Sequence, residues 1–309
     1  MILNRNDHAL AIRALRSAAP YIRMYKGKTF VVKAGGGVFA DEPSTRVLME
    51  QIAMLHYFGV RVVMVHGGGP QLTEVADALG LETRMVQGRR VTDEKSIDVT
   101  AMVLNGLINT RILGMCRDLN IDAVGISGVD AGLVRAHKRP PVKLSDGQTV
   151  DYGLVGDIEL VDANVIRKLL DNGLMPVVSP LSADEHGKLL NINADTVAAA
   201  LGAALEAEKL ILCTGAPGIL ERVEDAGSLV SYTDLQGLKR LRDAGALLEG
   251  MLPKAKAIED ALRGGVRRVH VVSYKSAEGI LGEVFTNEGT GTLVVADIGA
   301  LTSAEQQSA

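Results

Sequence analysis

Two glycine triplets stand where a strand-forming segment ends and a helical one begins. Lys33 closes the strand-forming run 29–32 and is followed by Gly35-Gly36-Gly37, and His66 closes the next strand-forming run and is followed by Gly67-Gly68-Gly69. Because glycine lacks a Cβ, its backbone N–H groups can approach anionic oxygens, and the N-terminus of a following helix adds a partial positive charge. Two such turns beside a lysine predict a cradle for a phosphate-sized anion. Two unrelated tight turns are the alternative.

Further polar residues stand at the starts of two predicted helices. Asn191, Asn193 and Asp195 stand immediately before an alanine-rich run. Asp195 either caps that helix or orients charged groups at a substrate, and the spacing leaves both interpretations open. Lys254 follows Pro253 in the first turn of a predicted helix, where a cation opposes the helix dipole. Such a local conflict is typical of a functional residue.

Two common nucleotide-binding patterns fit poorly. Gly27-Lys28-Thr29 ends like a P-loop, but Ile22 occupies the place of its first glycine and a strand follows instead of a helix. Residues 35–40 fit the dinucleotide pattern G-x-G-x-x-A. That pattern needs an acidic residue at the end of the second strand, and His66 stands there instead. The sequence therefore disfavours both a P-loop and a dinucleotide fold.

Strands and helices alternate along the chain and position the glycine turns. This alternation predicts an α/β protein with a mainly parallel sheet and helices on both faces, a three-layer αβα sandwich. Ligands of such sheets collect at the carboxyl ends of the strands. The predicted strands cover 29–33, 60–65, 121–126, 175–179, 209–213, 267–273 and 292–296. The predicted helices cover 44–58, 70–79, 94–118, 162–172, 194–206, 234–243, 252–263 and 276–284.

Other segments depart from this alternation. An amphipathic helix from Leu10 to Ile22 precedes the first strand, with Asp7 as its candidate N-cap and with Pro20 expected to kink or end it. This helix packs either on its own domain or on a neighbouring subunit. Residues 132–158 predict antiparallel hairpins at the sheet edge or in a lid. A weak seam at 172–176, without a linker, predicts two lobes that share one sheet.

Composition narrows the class of protein. The chain has 309 residues, 34 of them glycine, with 47% hydrophobic residues but 3% aromatics, so small aliphatic side chains must build the core. A net charge of −4 argues against general binding to nucleic acid or anionic membranes. Cys116 and Cys213 lie in apolar surroundings, as buried thiols of a reduced compartment do. With no signal-peptide pattern and no uncharged span of 18 residues, we expect a cytoplasmic protein.

Six motifs together resemble those of the amino acid kinase superfamily, and they occur from about residue 20 to 297. The motifs are Lys33-Ala-Gly-Gly, His66-Gly-Gly-Gly-Pro-Gln, Gly88-Arg89-Arg90-Val91-Thr92-Asp93, Gly153-Leu-Val-Gly156, the run Asn191 to Leu212, and Gly250-Met-Leu-Pro-Lys254. The continuation of the Asn191 run into Ala207-Glu208-Lys209-Leu210 is similar to the members that phosphorylate N-acetyl-L-glutamate. The resemblance implies the amino acid kinase fold and the second step of arginine biosynthesis.

The implied reaction transfers a phosphoryl group from ATP, with Mg²⁺, to the γ-carboxylate of N-acetyl-L-glutamate. A carboxylate with a pKa of about 4.3 is already ionised at neutral pH, so the site must supply positioning and positive charge rather than a base. The resemblance implies catalytic roles for Lys33, Lys254 and Asp195, with Asp195 orienting the lysines. Implied substrate contacts are Gly67, Gly68, Arg90 and Asn191. Implied phosphate and nucleotide contacts are Gly35, Gly36, Thr214, Gly215, Gly218 and Lys254. No protein metal site is expected, since no histidine has metal-ligand spacing.

The resemblance also implies a division of the chain and an oligomer. Residues 1–27 would form an oligomerisation helix, 28–174 a lobe for the acylamino acid, and 175–309 a lobe for ATP. Such a helix with a Pro-Tyr-Ile sequence, here residues 20–22, accompanies arginine-inhibited hexamers. A homo-oligomer, dimeric or hexameric, is therefore implied, without nucleic-acid or membrane partners. The implied arginine-site residues are Tyr21, His270, Glu283 and Gly289.

The sequence departs from the family pattern at several positions. Thr214-Gly215 replaces a frequent Thr-Asp, Gly37 replaces Asn or Ser, and Glu249 replaces a glycine. Near the predicted arginine site, Ser273-Tyr274 replaces Asp-Gly and Glu278 replaces a second histidine. These departures concern ATP use and arginine binding more than the fold.

Two alternatives to this kinase are consistent with the sequence. One is a catalytically silent module that binds arginine or an acylamino acid. A silent module has no need for two lysines and an aspartate at one phosphoryl site, so the joint presence of Lys33, Asp195 and Lys254 favours the enzyme. The other alternative is a kinase of a related substrate such as acetylaminoadipate, because the length of the substrate pocket cannot be read from the sequence.

Overall fold

The computed structural model describes residues 5–144, 147–247, 250–286 and 289–300. Glu249 and the last part of the predicted ATP lobe, 301–309, lie outside the described residues. In chain order the strands are β1 (Thr29–Ala34), β2 (Arg61–His66), β3 (Met85–Val86), β4 (Arg89–Arg90), β5 (Ala123–Ser127), β6 (Val134–Lys138), β7 (Val142–Lys143), β8 (Thr149–Val150), β9 (Gly156–Val161), β10 (Met175–Ser179), β11 (Leu181–Ala183), β12 (Leu189–Asn191), β13 (Lys209–Thr214), β14 (Tyr232–Asp234), β15 (Arg268–Ser273) and β16 (Thr292–Val295).

The helices alternate with these strands much as the sequence predicts. In chain order they are α1 (Arg5–Tyr25), α2 (Glu42–Tyr57), α3 (Gly69–Ala78), α4 (Glu94–Ala101), α5 (Asn109–Asp118), α6 (Asn164–Asp171), α7 (Ala194–Ala204), α8 (Leu235–Asp243), α9 (Leu252–Arg263) and α10 (Gly279–Phe285). A π-helical segment, Met102–Ile108, joins α4 to α5.

An eight-stranded sheet forms the middle layer, in the order β14-β16-β15-β13-β1-β2-β10-β5. Its strands are parallel except where β15 pairs antiparallel with β16. β1 lies centrally between β13 and β2. The carboxyl end of β1 is therefore flanked by the carboxyl ends of two parallel neighbours, which is where ligands of such sheets bind.

Each face of this sheet is buried under helices. Side chains alternate along β1, so Val31 contributes to the core that contains α7 and α9, and Phe30 and Val32 contribute to the core that contains α2 and α5. This alternation is the strand period of two. The three-layer αβα arrangement with a mainly parallel sheet confirms the predicted fold class.

A second, smaller sheet has the order β12-β11-β6-β9. β6 and β9 are antiparallel, and β7 and β8 form a separate antiparallel pair, so the hairpins predicted for 132–158 are confirmed. Their predicted place at the edge of the large sheet is wrong, because β6 pairs instead with β11. The sequence did not predict β11 and β12, because these strands span only three residues each.

The strand order bears on the predicted lobe boundary at residue 174. β10 follows that boundary in the sequence, yet it lies between β2 and β5, and β11 pairs with β6. By position in the sheets, residues 175–191 thus group with the strands that precede them. The assignment of each lobe to a ligand stays a prediction.

One of two expectations for α1 is wrong. α1 begins by Arg5, so Asp7 lies within the helix and is not its N-cap. The helix also continues through Pro20 to Tyr25, so the proline does not end it, and the kink stays a prediction.

The predicted helix at 94–118 is only partly α-helical, since residues 102–108 form the π segment. An apolar stripe at helical spacing carries no signal for that change in hydrogen bonding. The run from Glu94 to Asp118 is long and apolar enough to cross a membrane by length and composition. Buried side chains such as Leu104 and Ile112 pack into the core beneath the sheet, so this run serves as a core helix.

Candidate active site

The predicted catalytic residues Lys33, Asp195 and Lys254 meet at the carboxyl edge of the large sheet. Lys33 comes from β1, Asp195 from the first turn of α7 and Lys254 from the first turn of α9. The Nζ atoms of Lys33 and Lys254 lie 2.9 and 3.0 Å from the same oxygen of Asp195, Oδ1. All three side chains are buried. One carboxylate thus holds two ammonium groups that come from distant parts of the chain.

Asp195 is available for this role because another residue caps α7. The side chain of Asn193 accepts hydrogen bonds from the backbone N–H groups of Asp195, at 2.8 Å, and of Thr196, at 3.3 Å. The alternative that Asp195 merely caps the helix is therefore wrong.

Charge within the triad keeps Asp195 ionised. Burial raises the pKa of the Asp195 carboxyl, but the adjacent Lys33 and Lys254 outweigh burial and bring that pKa to about 2. Burial, together with the positive charge of Lys33, lowers the pKa of Lys254, and Asp195 opposes this effect. At neutral pH the triad carries an anionic carboxylate between two cationic groups when both lysines are protonated, which leaves a net positive charge for an anionic ligand.

The two glycine turns pack directly against each other. A Cβ on Gly36 would lie 2.8 Å from the Gly68 Cα, from the Gly69 N and from the Pro70 Cδ, so only glycine allows this approach. The amide Nε2 of Gln71 donates to the Gly36 carbonyl at 2.9 Å and ties the second turn to the first. The two glycine turns are thus adjacent, as the prediction of a shared cradle requires, and the binding of an anion there stays a prediction.

The π-helical segment supports the second turn from below. A Cβ on Gly68 would lie 2.4 Å from the Ile108 Cδ1 and 2.7 Å from the Leu104 Cδ2. Asn109, the first residue of α5, lies with its Nδ2 3.2 Å from the His66 Nε2 and donates to the Val177 carbonyl at 3.0 Å. Burial lowers the pKa of His66 to about 4, so this histidine is a neutral structural residue directly before the turn.

Arg90 is presented by a tight hairpin between β3 and β4. The two loop residues, Gln87 and Gly88, both have positive φ, as a type I′ turn requires. The Arg90 guanidinium donates to the Thr73 hydroxyl at 2.6 Å, to the Thr83 hydroxyl at 3.0 Å and to the Gly69 carbonyl at 3.2 Å. These bonds aim the guanidinium at the second glycine turn.

Asn191 is held in place by the segment that begins at Gly153. Leu154 donates its N–H to the Thr92 carbonyl at 2.6 Å and accepts from the Asn191 N–H at 2.8 Å. The Asn191 Nδ2 also donates to the Thr92 hydroxyl at 3.2 Å. Gly153 has φ +73°, and a Cβ there would lie 2.2 Å from the Thr92 carbonyl oxygen, so glycine is required.

A cavity of about 480 Å³ joins most of the predicted site residues. Its lining includes Lys33, Gly35, Gly36, Gly67, Gly68, Arg90, Asn191 and Asp195. It also includes three cationic residues that the sequence prediction missed: Arg89, Arg139 and Lys256. Arg139 binds the Asp157 Oδ1 through its Nε, at 2.9 Å, and an Nη, at 2.6 Å.

Thr214, Gly215 and Gly218 do not line this cavity. Thr214 ends β13, beside β1, so Thr214 and Gly215 lie at the same sheet edge. Gly218 lies against other side chains, because a Cβ there would meet the Leu229 Cδ1 and the Thr292 Oγ1, both at 2.6 Å. The nucleotide roles of these three residues stay predictions.

A second buried polar cluster contains the residues of the predicted arginine site. The His270 Nδ1 lies 2.9 Å from the Glu283 Oε1, and the other oxygen of Glu283 accepts from the N–H groups of Thr290, at 2.7 Å, and Gly291, at 3.0 Å. A Cβ on Gly289 would lie 3.1 Å from that oxygen. The structure thus brings His270, Glu283 and Gly289 together.

Lys209 completes this cluster, although the sequence prediction did not include it. Its Nζ lies 2.9 Å from the His270 Nε2 and 5.1 Å from the centre of the Tyr25 ring. Because the ionised Glu283 carboxylate only accepts, the His270 Nδ1–H donates to it, and the Nε2 of the neutral ring accepts from Lys209. Burial, with Lys209 next, lowers the pKa of His270 to about 4, and burial lowers the pKa of Lys209 to about 7. Tyr21 lies one turn before Tyr25 on α1 and packs against the same core.

The donor groups of the described residues do not form a metal site of their own. Over the described ranges, no group of three or more His, Cys, Asp or Glu side chains is arranged to hold a metal ion. The buried carboxylate of the site, Asp195, is engaged by two lysines through one of its oxygens. A divalent cation at this site would therefore depend on ligands that a substrate brings.

The fold and the site define a class of protein: an α/β domain with a mainly parallel sheet, which carries two packed glycine turns and two buried lysines at the carboxyl ends of its strands. The amino acid kinase family model matches residues 28–273. The chain belongs to the amino acid kinase family.

Named relatives extend this finding. The chain is 49% identical to an acetylglutamate kinase of Myxococcus xanthus over 91% of this chain and 93% of that protein. It is 40% identical to an acetylglutamate kinase of Archaeoglobus fulgidus over 92% of this chain and 98% of that protein. A solved structure of N-acetylglutamate synthase from Neisseria gonorrhoeae, in complex with coenzyme A and N-acetyl-glutamate, matches with a TM-score of 0.80 and 27% identity over 93% of this chain. The chain spans 63% of the length of that synthase.

Proposed function

We propose that this protein is an ATP-dependent kinase of N-acetyl-L-glutamate. It phosphorylates the γ-carboxylate to give N-acetyl-L-glutamyl 5-phosphate and ADP, the second step of arginine biosynthesis. The observation that carries the proposal is the triad of Lys33, Asp195 and Lys254 beside two packed glycine turns. The 49% identity to an acetylglutamate kinase over most of both chains supports this substrate.

The chemistry needs charge and alignment more than proton transfer. The acceptor oxygen is an ionised carboxylate that attacks the γ-phosphorus of ATP, and the bond from that phosphorus to the β–γ bridging oxygen breaks as the new bond forms. Both reactants are anions, so the site must reduce their repulsion and hold them in line. The two ammonium groups supply positive charge where negative charge is transferred.

Asp195 acts in this scheme by holding the lysines. Its carboxylate fixes the Nζ atoms of Lys33 and Lys254 at 2.9 and 3.0 Å, so neither ammonium group must be ordered when substrates bind. The low pKa of Asp195 keeps this carboxylate ionised throughout the neutral range. Asp195 is thus a positioning residue, and the lysines contact the transferring phosphoryl group.

The acylamino acid occupies the cavity beside the second glycine turn. Arg90, already aimed by Thr73, Thr83 and Gly69, places its positive charge beside the α-carboxylate and binds it through a remaining N–H group. Asn191 and the backbone of Gly67 and Gly68 complete this pocket. Gly35, Gly36, Thr214, Gly215 and Gly218, at the turns that follow β1 and β13, serve ATP. Mg²⁺ accompanies ATP and is held by phosphate oxygens and water.

Trapping of the product with hydroxylamine tests the function. The wild type should form acyl phosphate from ATP and N-acetylglutamate, and more slowly from its one-carbon-longer analogue, acetylaminoadipate. Lys33→Ala should lower the rate by about 10²–10³-fold. Lys239→Ala, an exposed lysine paired with Asp243, is the matched control and should keep the wild-type rate. If neither substrate gave product, the silent binding module would be the better interpretation. Faster turnover of the longer analogue would show that acetylaminoadipate, and not N-acetylglutamate, is the preferred substrate.

Arginine inhibition is a second proposal and rests on the buried cluster at His270. Glu283 can bind a guanidinium and Lys209 a carboxylate, which are the two ends of arginine. Arginine should inhibit the wild type at millimolar concentration, and Glu283→Gln should weaken that inhibition at least tenfold with little change in the uninhibited rate. Absence of any response to millimolar arginine would contradict the proposal.

Oligomer formation through α1 is a third proposal. Leu10, Ile12 and Leu15 are exposed on the first half of this helix, with 56–62% of their surfaces accessible, whereas the end of the helix packs on the core near α10. Light scattering should give the molar mass of a dimer or a hexamer for the wild type. The double variant Leu10→Glu, Leu15→Glu should have a smaller molar mass in solution. An unchanged molar mass would place the interface elsewhere.

The enzyme acts in the cytoplasm in this proposal.

A further inference from the structure

Gly37, Gly215 and Tyr274 follow three different strands and meet at one point. A Cβ on Gly37 would lie 3.1 Å from the Tyr274 hydroxyl oxygen, and a Cβ on Gly215 would lie 3.3 Å from the same oxygen. β1, β13 and β15 are adjacent parallel strands, so the ring crosses the end of β13 and its hydroxyl reaches the turn after β1. Because a side chain at 37 or 215 would crowd this ring, the tyrosine and the two glycines fit as a set.

The backbone of Tyr274 is fixed from two sides. Its N–H donates to the Thr214 carbonyl at 2.9 Å, directly beside Gly215. The next residues are tied to α2 by Gln51, whose Oε1 accepts from the Ile280 N–H at 2.9 Å and whose Nε2 donates to the Ser276 carbonyl at 3.4 Å. The ring also packs on the core beneath α2. The hydroxyl is therefore held in place before any ligand binds.

The hydroxyl of Tyr274 has no hydrogen-bond partner among the residues that the structure describes. Tyr274 is half-buried, so its ring packs on the core while its hydroxyl stays accessible to a ligand. Gly37 directly follows Gly35 and Gly36, which line the cavity beside Lys33. This hydroxyl thus lies at the end of the site where the first glycine turn would meet phosphate oxygens.

We propose that Tyr274 donates a hydrogen bond from its hydroxyl to the phosphate chain of the bound nucleoside triphosphate. This inference rests on the proposed kinase function. A neutral donor suits this place because Lys33 and Lys254 already supply positive charge, and a hydrogen bond to a charged oxygen contributes about tenfold in affinity. Tyr274 is then a nucleotide-binding residue that the two glycines make room for.

Calorimetry with Tyr274→Phe tests this contact, because phenylalanine keeps the ring and removes only the hydroxyl. The variant should bind ADP and a non-hydrolysable ATP analogue about tenfold more weakly than the wild type. Its affinity for adenosine, measured by competition, and its KM for the acylamino acid should not change. Tyr57→Phe, whose hydroxyl bonds the Leu119 carbonyl, is the matched control.

The outcomes separate this inference from the proposed function. A wild type that forms acyl phosphate, with a Tyr274→Phe variant that binds ADP equally well, would overturn the inference alone. An equal loss for adenosine and ADP would also overturn it, since the hydroxyl would then contact the nucleoside. If the wild type formed no acyl phosphate but Tyr274→Phe still weakened ADP binding, the proposed kinase function would be overturned and the nucleotide contact of Tyr274 would stand.

Discussion

Asn193 caps α7 and thereby leaves the carboxylate of Asp195, two residues later, to bind lysines. The Asn193 side chain accepts from the backbone N–H of Asp195 at 2.8 Å, and the Asp195 Oδ1 lies 2.9 Å from the Lys33 Nζ. The two residues share one helical turn but have separate tasks. Their substitutions should therefore affect different properties.

Asn193→Ala should cost about 1 kcal/mol of unfolding free energy, the usual loss for a helix cap. Asp195→Asn should instead lower kcat by about 10²-fold, because the two buried ammonium groups lose the charge that holds them in place. Denaturant unfolding and acyl phosphate formation measure the two effects. A kcat of Asp195→Asn close to that of the wild type would contradict the positioning role.

Gly36→Ala should abolish most of the activity. The added Cβ would meet backbone atoms of Gly68 and Gly69 at 2.8 Å, so the two turns must separate. We expect kcat/KM to fall by about 10²-fold, because small displacements of catalytic groups cost this much. Gly114→Ala, where nothing lies within 4 Å of the new Cβ, is the steric control. If both variants retained activity, the close packing of the turns would not matter for function.

Arg90→Lys should raise the KM for the acylamino acid by about 10-fold or more, with a smaller effect on kcat. A lysine has one ammonium group and cannot replace the forked donors that contact Thr73 and Thr83 while facing a carboxylate. Arg46→Lys, an exposed residue paired with Glu50, serves as the control in steady-state kinetics. An unchanged KM would remove Arg90 from the substrate pocket.

Acid should destabilise the fold through two buried neutral histidines. Burial lowers the pKa of both His66 and His270 to about 4, from 6.5. Between pH 4 and pH 6.5 the unfolded chain therefore binds more protons at these histidines than the folded chain does. The free energy of unfolding consequently decreases as the pH falls from 6.5 towards 4. Each histidine should cost about 2 kcal/mol between pH 7 and pH 5.

His66→Gln should remove about half of this loss, as measured by denaturant unfolding at the two pH values. The control is His186→Gln, since the His186 side chain is 82% exposed. Equal unfolding free energies of the wild type at pH 7 and pH 5 would show that these histidines are not buried in neutral form.

The sequence predicted the layers and the centre of the site because their signals are local. Lys33 and the glycine triplets stand at the ends of strongly apolar strands, and Lys254 follows Pro253 in a helical first turn. Each element carries its own periodicity, and the carboxyl ends of parallel strands meet at one edge. Asp195 could be placed near this edge, but only the structure distinguishes its lysine contacts from a helix cap.

Other residues could not be found in this way because their neighbours are distant in sequence. Arg139 reaches the cavity through a small sheet whose strands β11 and β12 are too short to show a period. Lys209 meets His270 across two neighbouring strands, and Tyr274 meets Gly37 across three. Such encounters depend on strand order and register, which no local pattern encodes.

The alternation of side chains along β1 also limits how this gene can change in length. Val31 faces α7, and Lys33, two residues later on the same face, meets Asp195 of that helix. One residue inserted or deleted within 29–32 would exchange the two core faces and turn the lysine away from its carboxylate. We therefore expect that length variants survive in the exposed turn at 185–187, between β11 and β12, and that β1 tolerates substitutions of similar size but no insertion or deletion.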